Sequence, residues 1–477
     1  MGLTTQLSAE LVAIDQLTDR DRERLQVLVL DFIAAAYAGY RVNYEFNRVV
    51  ANVMLGQGGR TESAVFLSEV RLPAERAAFL NALYGHGADL DDGHKRAMGH
   101  CGVHVIPAVF ALAEATEARN EEVLRALAVG YEAYVRLSSA AQPGMVERGF
   151  HSTGMAGTLA CAAACGRLLG LDVEGMENAI AVATTLSGGL LSYGDSRPAV
   201  KPLNPAHAAA NGLFAARLAA DGIRGPEAAL EGPNGWFHAV TERYNAGLLR
   251  GKDHLLLHDC YLKLWPSCRH THCCIDAALR LRRRLGDGVL TAEAVDSIRV
   301  CIYPNAIKLA GQIRYPQEAD QTKFSIHYTL ATALLRGNYG IEDLHALVRG
   351  SDVERLIDKI RLEPDVEMED SARGIRGARV ELTMADGRRM EETVLSPKGD
   401  PEVPLNYSDV VEKLKACSQG IAGPKALQRH IDRVERLALS ARFCNPLGIA
   451  TDKEIRTEKH NDMNVNILPP QFTDVNN

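Results

Sequence analysis

The first half of the chain is patterned as a series of amphipathic helices. Between about residues 8 and 262, apolar side chains recur at spacings of three and four, as they do over residues 19–36, 74–84 and 121–140. This spacing places the apolar side chains on one face of an α-helix. The pattern therefore predicts a large helical domain.

Two segments of this helical half are unusually rich in small residues. Residues 153–171 read TGMAGTLACAAACGRLLGL, and residues 205–222 read PAHAAANGLFAARLAADG. Small side chains let helices approach closely, and a helix that lacks a polar face is typical of a protein interior. We expect both segments to be buried helices of the core.

The pattern changes near Pro266. Residues 294–304 and 359–364 are short runs rich in β-branched residues, and residues 378–395 alternate on either side of Asp386-Gly387, a strong hairpin signal. Helical patterns intervene at residues 269–285, 323–336 and 341–349. This mixture predicts a second, α+β domain.

These changes divide the chain into four parts. We predict a large helical domain over residues 1–265 and an α+β domain over residues 266–400. Residues 401–452 are expected to form C-terminal helices that pack back on the helical domain. Residues 453–477 are polar without a period, which is typical of a loose tail. The fold class is therefore mainly α, with a smaller α+β domain.

The composition and charge of the chain argue against two kinds of binding partner, nucleic acids and membranes. With 46% hydrophobic and 24% charged residues, the chain of 477 residues can bury a sizeable core. A net charge of -7 without a block of Lys and Arg argues against nucleic-acid binding. We identify neither a signal peptide nor an uninterrupted apolar run of about 20 residues, so we expect no membrane contact. The 10 scattered cysteines lack the paired spacing of a disulfide framework, which predicts a reduced, cytoplasmic protein.

Titratable residues are concentrated in GADLDDGHKRAMGHCGVHVIPA, residues 87–108. Apolar flanks are expected to bury the ends of this segment, and a buried carboxylate needs a partner. Partnered carboxylates and imidazoles in a cleft can transfer protons. The alternative is a solvated turn with incidental histidines. The residues concerned are Asp89, Asp91, Asp92, His94, Lys95, Arg96, His100 and His104.

We predict no metal site in this segment. Proline is favoured at the first position of a helix, so Pro107 is expected to begin the following helix. His100 and His104 would then lie outside that helix and would not share a helical face. No HExxH motif or comparable ligand set is present in the sequence.

A second candidate segment is RGFHSTGMAG, residues 148–157. His151 precedes Ser152 and Thr153, two residue types that cap helices. The N-terminus of a helix offers N–H groups and a positive dipole to an anion. His151 is therefore a candidate for contact with a bound carboxylate, and a simple turn residue is the alternative.

Two isolated lysines complete the set. Lys201 lies in a Gly/Pro-rich loop within residues 188–212, and Lys263 belongs to YLKLWPSCRHTHCC, residues 261–274. Such lysines are usually solvated, but Lys263 lies at the predicted domain junction, where clefts form. The same segment contains Arg269 and His272.

These segments, in this order, resemble the MmgE/PrpD family, which includes 2-methylcitrate dehydratase, cis-aconitate decarboxylase and iminodisuccinate epimerase. The resemblance covers about residues 10–450 and rests on HGADLDDGH, VIPAVFALAE, GFHSTG, VKPLNP, KLWPSCRHTH and KFSIHY. It implies a large all-helical domain with a smaller α+β lid domain. It also implies a homodimer with its active site between the domains, and no metal or organic cofactor.

The resemblance also assigns roles. The lysines would hold the carboxylates of a small anionic substrate, the histidines would act as general base and acid, and the first aspartate would orient a histidine. The catalytic residues it implies are Asp89, His100, His151, Lys201 and Lys263. We further expect five residues to contact the substrate, namely His94, His104, Arg269, His272 and Tyr315.

The chain departs from the family pattern at several positions. Gly93 replaces a threonine, Asn204 replaces a histidine, and Cys101 follows His100 where proline is usual. The acid/base residues are kept, whereas the polar lining differs. We therefore predict a lyase of the dehydratase type that acts on a hydroxy-polycarboxylate, with an epimerase second and a decarboxylase third. A catalytically inactive binding homologue is the alternative from another class.

Overall fold

The computed structural model describes residues 2–192, 200–286, 288, 290–370, 374–439 and 441–448. The chain forms two compact units. Of the described residues, those within 1–87, 91–262 and 406–477 form the first unit, and those within 88–90 and 263–405 form the second. The predicted loose tail, residues 453–477, lies outside the described residues.

The described residues are mainly helical, and the predicted fold class is confirmed. In chain order, the α-helices are α1 Leu3–Val12, α2 Asp19–Val42, α3 Tyr44–Gly56, α4 Ala74–His86, α5 Gly102–Ala115, α6 Asn120–Ala141, α7 Gly144–Glu147, α8 Ser152–Leu168, α9 Val173–Leu186, α10 Leu203–Ala220, α11 Trp236–Val240, α12 His272–Leu285, α13 Pro304–Ala310, α14 Ala319–Thr322, α15 Ile326–Arg336, α16 Asp352–Ile357, α17 Tyr407–Ser418 and α18 Pro424–Arg436. The strands are β1 Ser63–Ala64, β2 Arg71–Leu72, β3 Val295–Ile302, β4 Ile360–Pro364, β5 Glu369–Asp370, β6 Ile375–Arg376, β7 Ala378–Met384 and β8 Arg389–Val394.

The two helices rich in small residues, α8 and α10, lie in the core of the first unit, as predicted. Helix α8 packs against α6, α9 and α10, and α10 also packs against α4. Every residue of α8 from Ser152 to Gly166 is buried. A Cβ atom at Gly212 would lie 2.3 Å from the Cβ of Cys161. The absence of a side chain at Gly212 therefore permits the close approach of α10 to α8.

Helix α5 begins earlier than predicted, at Gly102, so that Pro107 lies inside the helix. The expectation that Pro107 would occupy the first helical position was wrong. The Oδ1 atom of Asp92 accepts the N–H groups of Cys101 and Gly102, at 3.2 and 2.8 Å. A side chain from an earlier turn thus satisfies the helix N-terminus, which overrides the local signal of the proline. His104 consequently lies in the first turn of α5.

The second unit is an α+β structure around a sheet of four strands in the order β4-β3-β7-β8. Strands β3 and β4 are parallel, and β7 pairs antiparallel with both β3 and β8. The predicted hairpin at Asp386-Gly387 is confirmed, and Gly387 has a positive φ of 87° that suits a glycine. The apolar side chains of β3 pack in one core with residues of α12 and α15.

One predicted helix is absent from the second unit. Within residues 341–349, only Ile341–Asp343 form a helical turn, of the 3₁₀ type. The carboxylate of Asp343 accepts the N–H of Gly340 at 2.8 Å and bonds Arg336 at 2.6 Å. This side chain closes a local turn, which competes with continuation of the helix.

The C-terminal helices α17 and α18 pack on α2 within the first unit. Lys413 of α17 and Asp31 of α2 form a buried ion pair with an Nζ–Oδ1 distance of 2.6 Å. Among the described helices, α2 is long and apolar enough by length and composition to cross a membrane, but 78% of its apolar window is buried inside the protein. Helix α2 thus has the surroundings of a core helix.

Buried histidines predict a loss of stability in mild acid. Burial lowers the pKa of eight of the described histidines below the value of about 6.5 that is usual in an unfolded chain, and in six of them it lowers the pKa to about 4 or 3. Between about pH 6.5 and 4, the unfolded chain therefore binds more protons than the folded protein, and the free energy of unfolding falls as the pH falls. Asp31 acts in the opposite direction, because burial raises its pKa to about 6. The six pKa values are about 4 for His86, His94, His327 and His430, and about 3 for His104 and His270.

Thermal unfolding measured from pH 7.5 to 4.5 tests this prediction. We expect the melting temperature to fall steadily below about pH 6.5, because each histidine lowers the free energy of unfolding by up to about 1.4 kcal/mol per pH unit. His430 is a suitable control because both ring nitrogens are bonded, to Tyr37 Oη at 2.9 Å and to the carbonyl of Pro446 at 2.7 Å. His430→Gln should be less stable at pH 7.5 and should show a shallower decline. A melting temperature that stays constant from pH 7 to 5 would contradict the prediction.

Candidate active site

Asp91 lies at the centre of a buried cluster in the first unit. Its two carboxylate oxygens lie 3.0 and 3.1 Å from Nδ1 of His86, and one of them lies 2.9 Å from Nδ1 of His100. The side chains of His86 and Asp91 are 0% and 1% exposed. The rings of His86 and His100 meet edge to face, with centroids 4.6 Å apart. One carboxylate therefore orients two imidazoles.

Burial and the neighbouring charges determine the protonation states of Asp91 and His86. Burial by itself would raise the pKa of Asp91, but His100 and His86 hold it well below the ordinary value. Burial lowers the pKa of His86 to about 4, an effect that Asp91 opposes and the charge of Lys201 reinforces. At neutral pH, Asp91 is thus ionised and His86 is neutral. His86 then donates from Nδ1, and its buried Nε2 has no hydrogen-bond partner within the described part of the chain.

The three aspartates of residues 87–108 have different partners. Asp92 caps α5 through Oδ1, and its Oδ2 accepts the hydroxyl of Tyr131 at 2.6 Å. Asp89 belongs to the second unit, where its carbonyl and Oδ1 accept from Nζ of Lys263 at 2.8 and 2.9 Å. The carboxylate of Asp91 bonds both His86 and His100. The orienting role that the resemblance implies for Asp89 stays a prediction.

The start of α8 brings His151 to the same cluster. His151 is the N-cap residue of α8, so Ser152 and Thr153, which we expected to cap the helix, are its first two residues. Ser152 Oγ donates to the carbonyl of Met98 at 2.8 Å, and Thr153 Oγ1 accepts the N–H of His100 at 3.2 Å. These bonds fix the loop that carries His100 to the helix N-terminus. The rings of His151 and His86 have centroids 6.2 Å apart.

The start of α10 supplies two further polar groups. Lys201 lies two residues before α10 and is buried, and its charge acts on His86. Asn204, the second residue of α10, has its Nδ2 atom 3.0 Å from Nδ1 of His151. The first unit thus brings together His100, His151 and Lys201, three of the five predicted catalytic residues.

The other two predicted catalytic residues, Asp89 and Lys263, are paired in the second unit. The Lys263 side chain is 1% exposed and the Asp89 side chain 5%. His270 lies within the electrostatic reach of this pair, and its Nδ1 contacts the hydroxyl of Tyr303. Burial lowers the pKa of His270 to about 3, and the charges of Arg376, Arg269 and Lys263 add to this effect. His270 is therefore neutral near neutral pH.

The residues predicted to contact the substrate occupy varied surroundings. In the first unit, His94 is buried and its Nδ1 accepts the N–H of Ala97 at 3.1 Å. His104 is fully buried, with Nε2 3.0 Å from the carbonyl of His100 and Nδ1 3.5 Å from Sγ of Cys161. A substrate contact by His104 would require one of these bonds to break.

In the second unit, Arg269 contacts the carboxylate of Asp400. His272 is buried against Trp265, with Nε2 3.2 Å from the carbonyl of Ser267. Tyr315 is 40% exposed, and its hydroxyl donates to Asp358 at 2.6 Å. The substrate-binding roles of these three residues stay predictions.

Two residues of the cluster were not predicted from the sequence: Asp91 as the carboxylate that bonds both histidines, and His86 as its second imidazole. His86 is the last residue of α4 and extends the apolar pattern of residues 74–84. A histidine at the end of an apolar helix, five residues before an aspartate, was the available signal. It is weak, because the same spacing would also suit a solvated turn.

The same cluster contains side chains of the types that bind metal ions. Ligand atoms of His86, Asp91 and His100 lie within 4.8 Å of one another. Both Nδ1 atoms already bond to Asp91, so an ion among these atoms would have to replace those hydrogen bonds. The expected absence of a metal stays a prediction, and loss of activity in a chelator would contradict it.

Comparison with known proteins identifies the class. The helical unit contains a buried carboxylate–imidazole cluster, and the α+β unit contains a buried lysine–aspartate pair. Sequence models described as the MmgE/PrpD N-terminal domain and the MmgE/PrpD C-terminal domain match residues 8–248 and 265–439. The chain belongs to the MmgE/PrpD family.

The names of several proteins similar to this chain contain the term cis-aconitate decarboxylase. The cis-aconitate decarboxylase-like protein oryM of Aspergillus oryzae is 28% identical over 443 residues, which cover 88% of this chain and 90% of that protein. Cis-aconitate decarboxylase of Mus musculus is 26% identical, over 89% of this chain and 88% of that protein. The enzyme of the same name from Homo sapiens is 27% identical, over 84% of each. The predicted enzyme class, a lyase, is confirmed, whereas 2-methylcitrate dehydration receives no support from these relatives.

Proposed function

We propose that this protein is a cofactor-independent lyase that transfers protons at a carbon next to a carboxylate in a small di- or tricarboxylic acid. The observation that carries the proposal is Asp91, which holds two buried imidazoles within the electrostatic reach of Lys201. A carboxylate that fixes an imidazole also stabilises the imidazolium formed when the ring takes a proton. Lys201 supplies positive charge for an acidic substrate.

His100 is suited to proton transfer by its hydrogen bonds. Its Nδ1 faces two acceptors, the carboxylate of Asp91 and the carbonyl of Asp92, each at 2.9 Å. Nδ1 therefore carries a proton, and a neutral ring has its lone pair on Nε2. An imidazole held in this tautomer can accept a proton from carbon or return one to it. Lys263 is proposed, as the resemblance implied, to hold a second carboxylate.

The names of the relatives favour decarboxylation of an acid of the cis-aconitate type. In that reaction, the bond between carbon and one carboxylate breaks and CO₂ leaves. The electron pair of that bond forms a new double bond to the neighbouring carbon, and the pair of the original double bond shifts to the carbon next to a remaining carboxylate. That carbon then takes a proton from an imidazolium. Lysine charges beside the remaining carboxylates would stabilise the intermediate.

Dehydration of a hydroxy-acid is the second candidate. It requires one imidazole that takes a proton from carbon and another group that protonates the departing hydroxide. The proximity of His86, His100 and His151 in the first unit favours such a division. The predicted homodimer and cytoplasmic location stay predictions for either reaction.

An exchange assay in heavy water separates these reactions. We expect cis-aconitate to give CO₂ and an acid that is one carbon shorter. This product should carry one deuterium, and NMR monitors its formation. Loss of water from citrate, isocitrate or 2-methylcitrate without CO₂ would indicate a dehydratase instead. Deuterium exchange in aspartate-derived diacids without net conversion would indicate an epimerase. His100→Gln is the control, and we expect it to lower any of these rates by at least about 10²-fold.

A protein that binds these acids without labelling any of them would contradict the proposal. A rise in melting temperature with an acid, measured in parallel, detects such binding. That combination would favour the catalytically inactive homologue.

A further inference from the structure

We propose that Asn204 is a positioning residue that fixes His151 with its proton on Nε2, so that His151 donates a hydrogen bond from Nε2 to an oxygen of the substrate. The use of that proton rests on the proposed function, whereas the tautomer of His151 does not. Nδ2 of Asn204 lies 3.0 Å from Nδ1 of His151. An amide nitrogen only donates, so Nδ1 must accept and carries the lone pair. The single proton of a neutral ring then resides on Nε2.

The orientation of the Asn204 amide is set by a second acceptor. Nδ2 also lies 3.5 Å from the carbonyl of Leu190. If the amide were rotated by 180°, its oxygen would face that carbonyl oxygen, and neither atom could donate. The two hydrogens of Nδ2 satisfy Leu190 and His151 together. The network therefore distinguishes the two amide orientations.

The backbone around His151 holds this geometry. The N–H of His151 donates to the carbonyl of Gly189 at 3.1 Å, and the N–H of Leu191 donates to Gly149 at 2.8 Å. These bonds pair the two segments on either side of the amide. Gly189 has a φ of 129°, a conformation that residues with a side chain rarely adopt. The carbonyl of Leu190 is thereby placed where the amide of Asn204 meets it.

His100 has the opposite arrangement. Its Nδ1 faces two acceptors, whereas the Nδ1 of His151 faces a donor. The two histidines are thus held in different tautomers. The sequence does not distinguish the roles of these two histidines. Their hydrogen-bond partners in the structure do. His100 is assigned to accept a proton at Nε2, and His151 to donate a hydrogen bond from Nε2.

Nitrogen NMR of the substrate-free, full-length protein labelled with ¹⁵N-histidine tests the tautomer directly. The His151 signals are assigned by their loss in His151→Gln. We expect wild-type His151 to carry its proton on Nε2. In Asn204→Asp, a carboxylate faces the ring, and Nδ1 should become protonated. Wild-type His151 with its proton on Nδ1 would overturn the inference.

Asn211→Asp is the matched control. Asn211 lies on the same helix, and its Nδ2 donates to the carbonyl of Leu186 at 3.0 Å. We expect this variant to leave the His151 signals and turnover unchanged. A change in the His151 tautomer in Asn211→Asp would show that a charge anywhere on α10 is sufficient, and would also overturn the inference.

Kinetics then test the use of the proton. At a pH where the NMR spectrum shows a neutral His151 ring, we expect Asn204→Asp to lower kcat by about 10- to 100-fold with little change in KM, and Asn204→Leu, which leaves both tautomers accessible, to lower it less. A reversed tautomer with wild-type kcat would overturn the role of His151 as donor. If no acid of the panel is turned over or labelled by the wild type, the proposed function fails, while the NMR result still decides the tautomer.

Discussion

Replacement of Asp91 by asparagine is expected to lower kcat by about 10²- to 10⁴-fold without unfolding the protein. The carboxylate of Asp91 accepts from Nδ1 of both His86 and His100. An amide offers one acceptor and one donor, so one of the two rings must lose its bond or change tautomer. The variant also loses the negative charge that stabilises an imidazolium. Steady-state decarboxylation or exchange rates at pH 7.5 measure the effect.

Asp92→Asn is the matched control for this prediction. The neighbouring side chain is also buried, but it serves the N-terminus of α5 and Tyr131. Its amide oxygen can still accept the helix N–H groups, and its NH₂ can donate to the tyrosine hydroxyl. We expect a loss of melting temperature with a change in kcat of less than about tenfold. Equal losses of kcat in the two variants would contradict the orienting role of Asp91.

The periodic parts of the fold were predictable because their signals are local. The small residues of α8 and α10 and the Asp386-Gly387 turn specify burial and chain reversal within a few positions. The start of α5 was not predictable in this way, since its cap comes from Asp92, ten residues before Gly102. The expected helix after Gly340 failed for a related reason, because Asp343 closes a turn with its own side chain.

The candidate site was predictable in its residue types but not in its partners. Residues 87–108 indicated carboxylates and imidazoles, yet three aspartates within four positions are equivalent in sequence. Their division depends on the backbone path, in which Asp89 has a left-handed φ of 53°. Near that turn, Asp89 pairs with Lys263 and Asp91 bonds the histidines. His86 was missed because its position continues an apolar helix.

Lys263→Met is expected to lower both stability and activity, for separable reasons. The ammonium group is 1% exposed and donates to the carbonyl and the carboxylate of Asp89. Removal of one partner of a buried pair leaves a charge without compensation and costs about 3–5 kcal/mol in the free energy of unfolding. Under the proposed function, the variant also loses a ligand for a substrate carboxylate. We expect kcat/KM to fall by at least about 10²-fold at a temperature where the variant is folded.

Lys413→Met separates the two effects, because the Lys413–Asp31 pair is equally buried and takes no part in the proposed chemistry. Burial raises the pKa of Asp31 to about 6 even beside Lys413, so the carboxyl left in this variant can take up a proton. Its destabilisation at pH 7.5 is therefore expected near the lower end of about 3–5 kcal/mol. Denaturant unfolding and kcat/KM are measured on both variants. Lys413→Met should retain kcat/KM within about threefold of the wild type at the same folded fraction, since an isolated core pair acts only on stability. If the two variants lose kcat/KM in parallel with their stability, Lys263 is a structural residue and its assignment to the substrate is wrong.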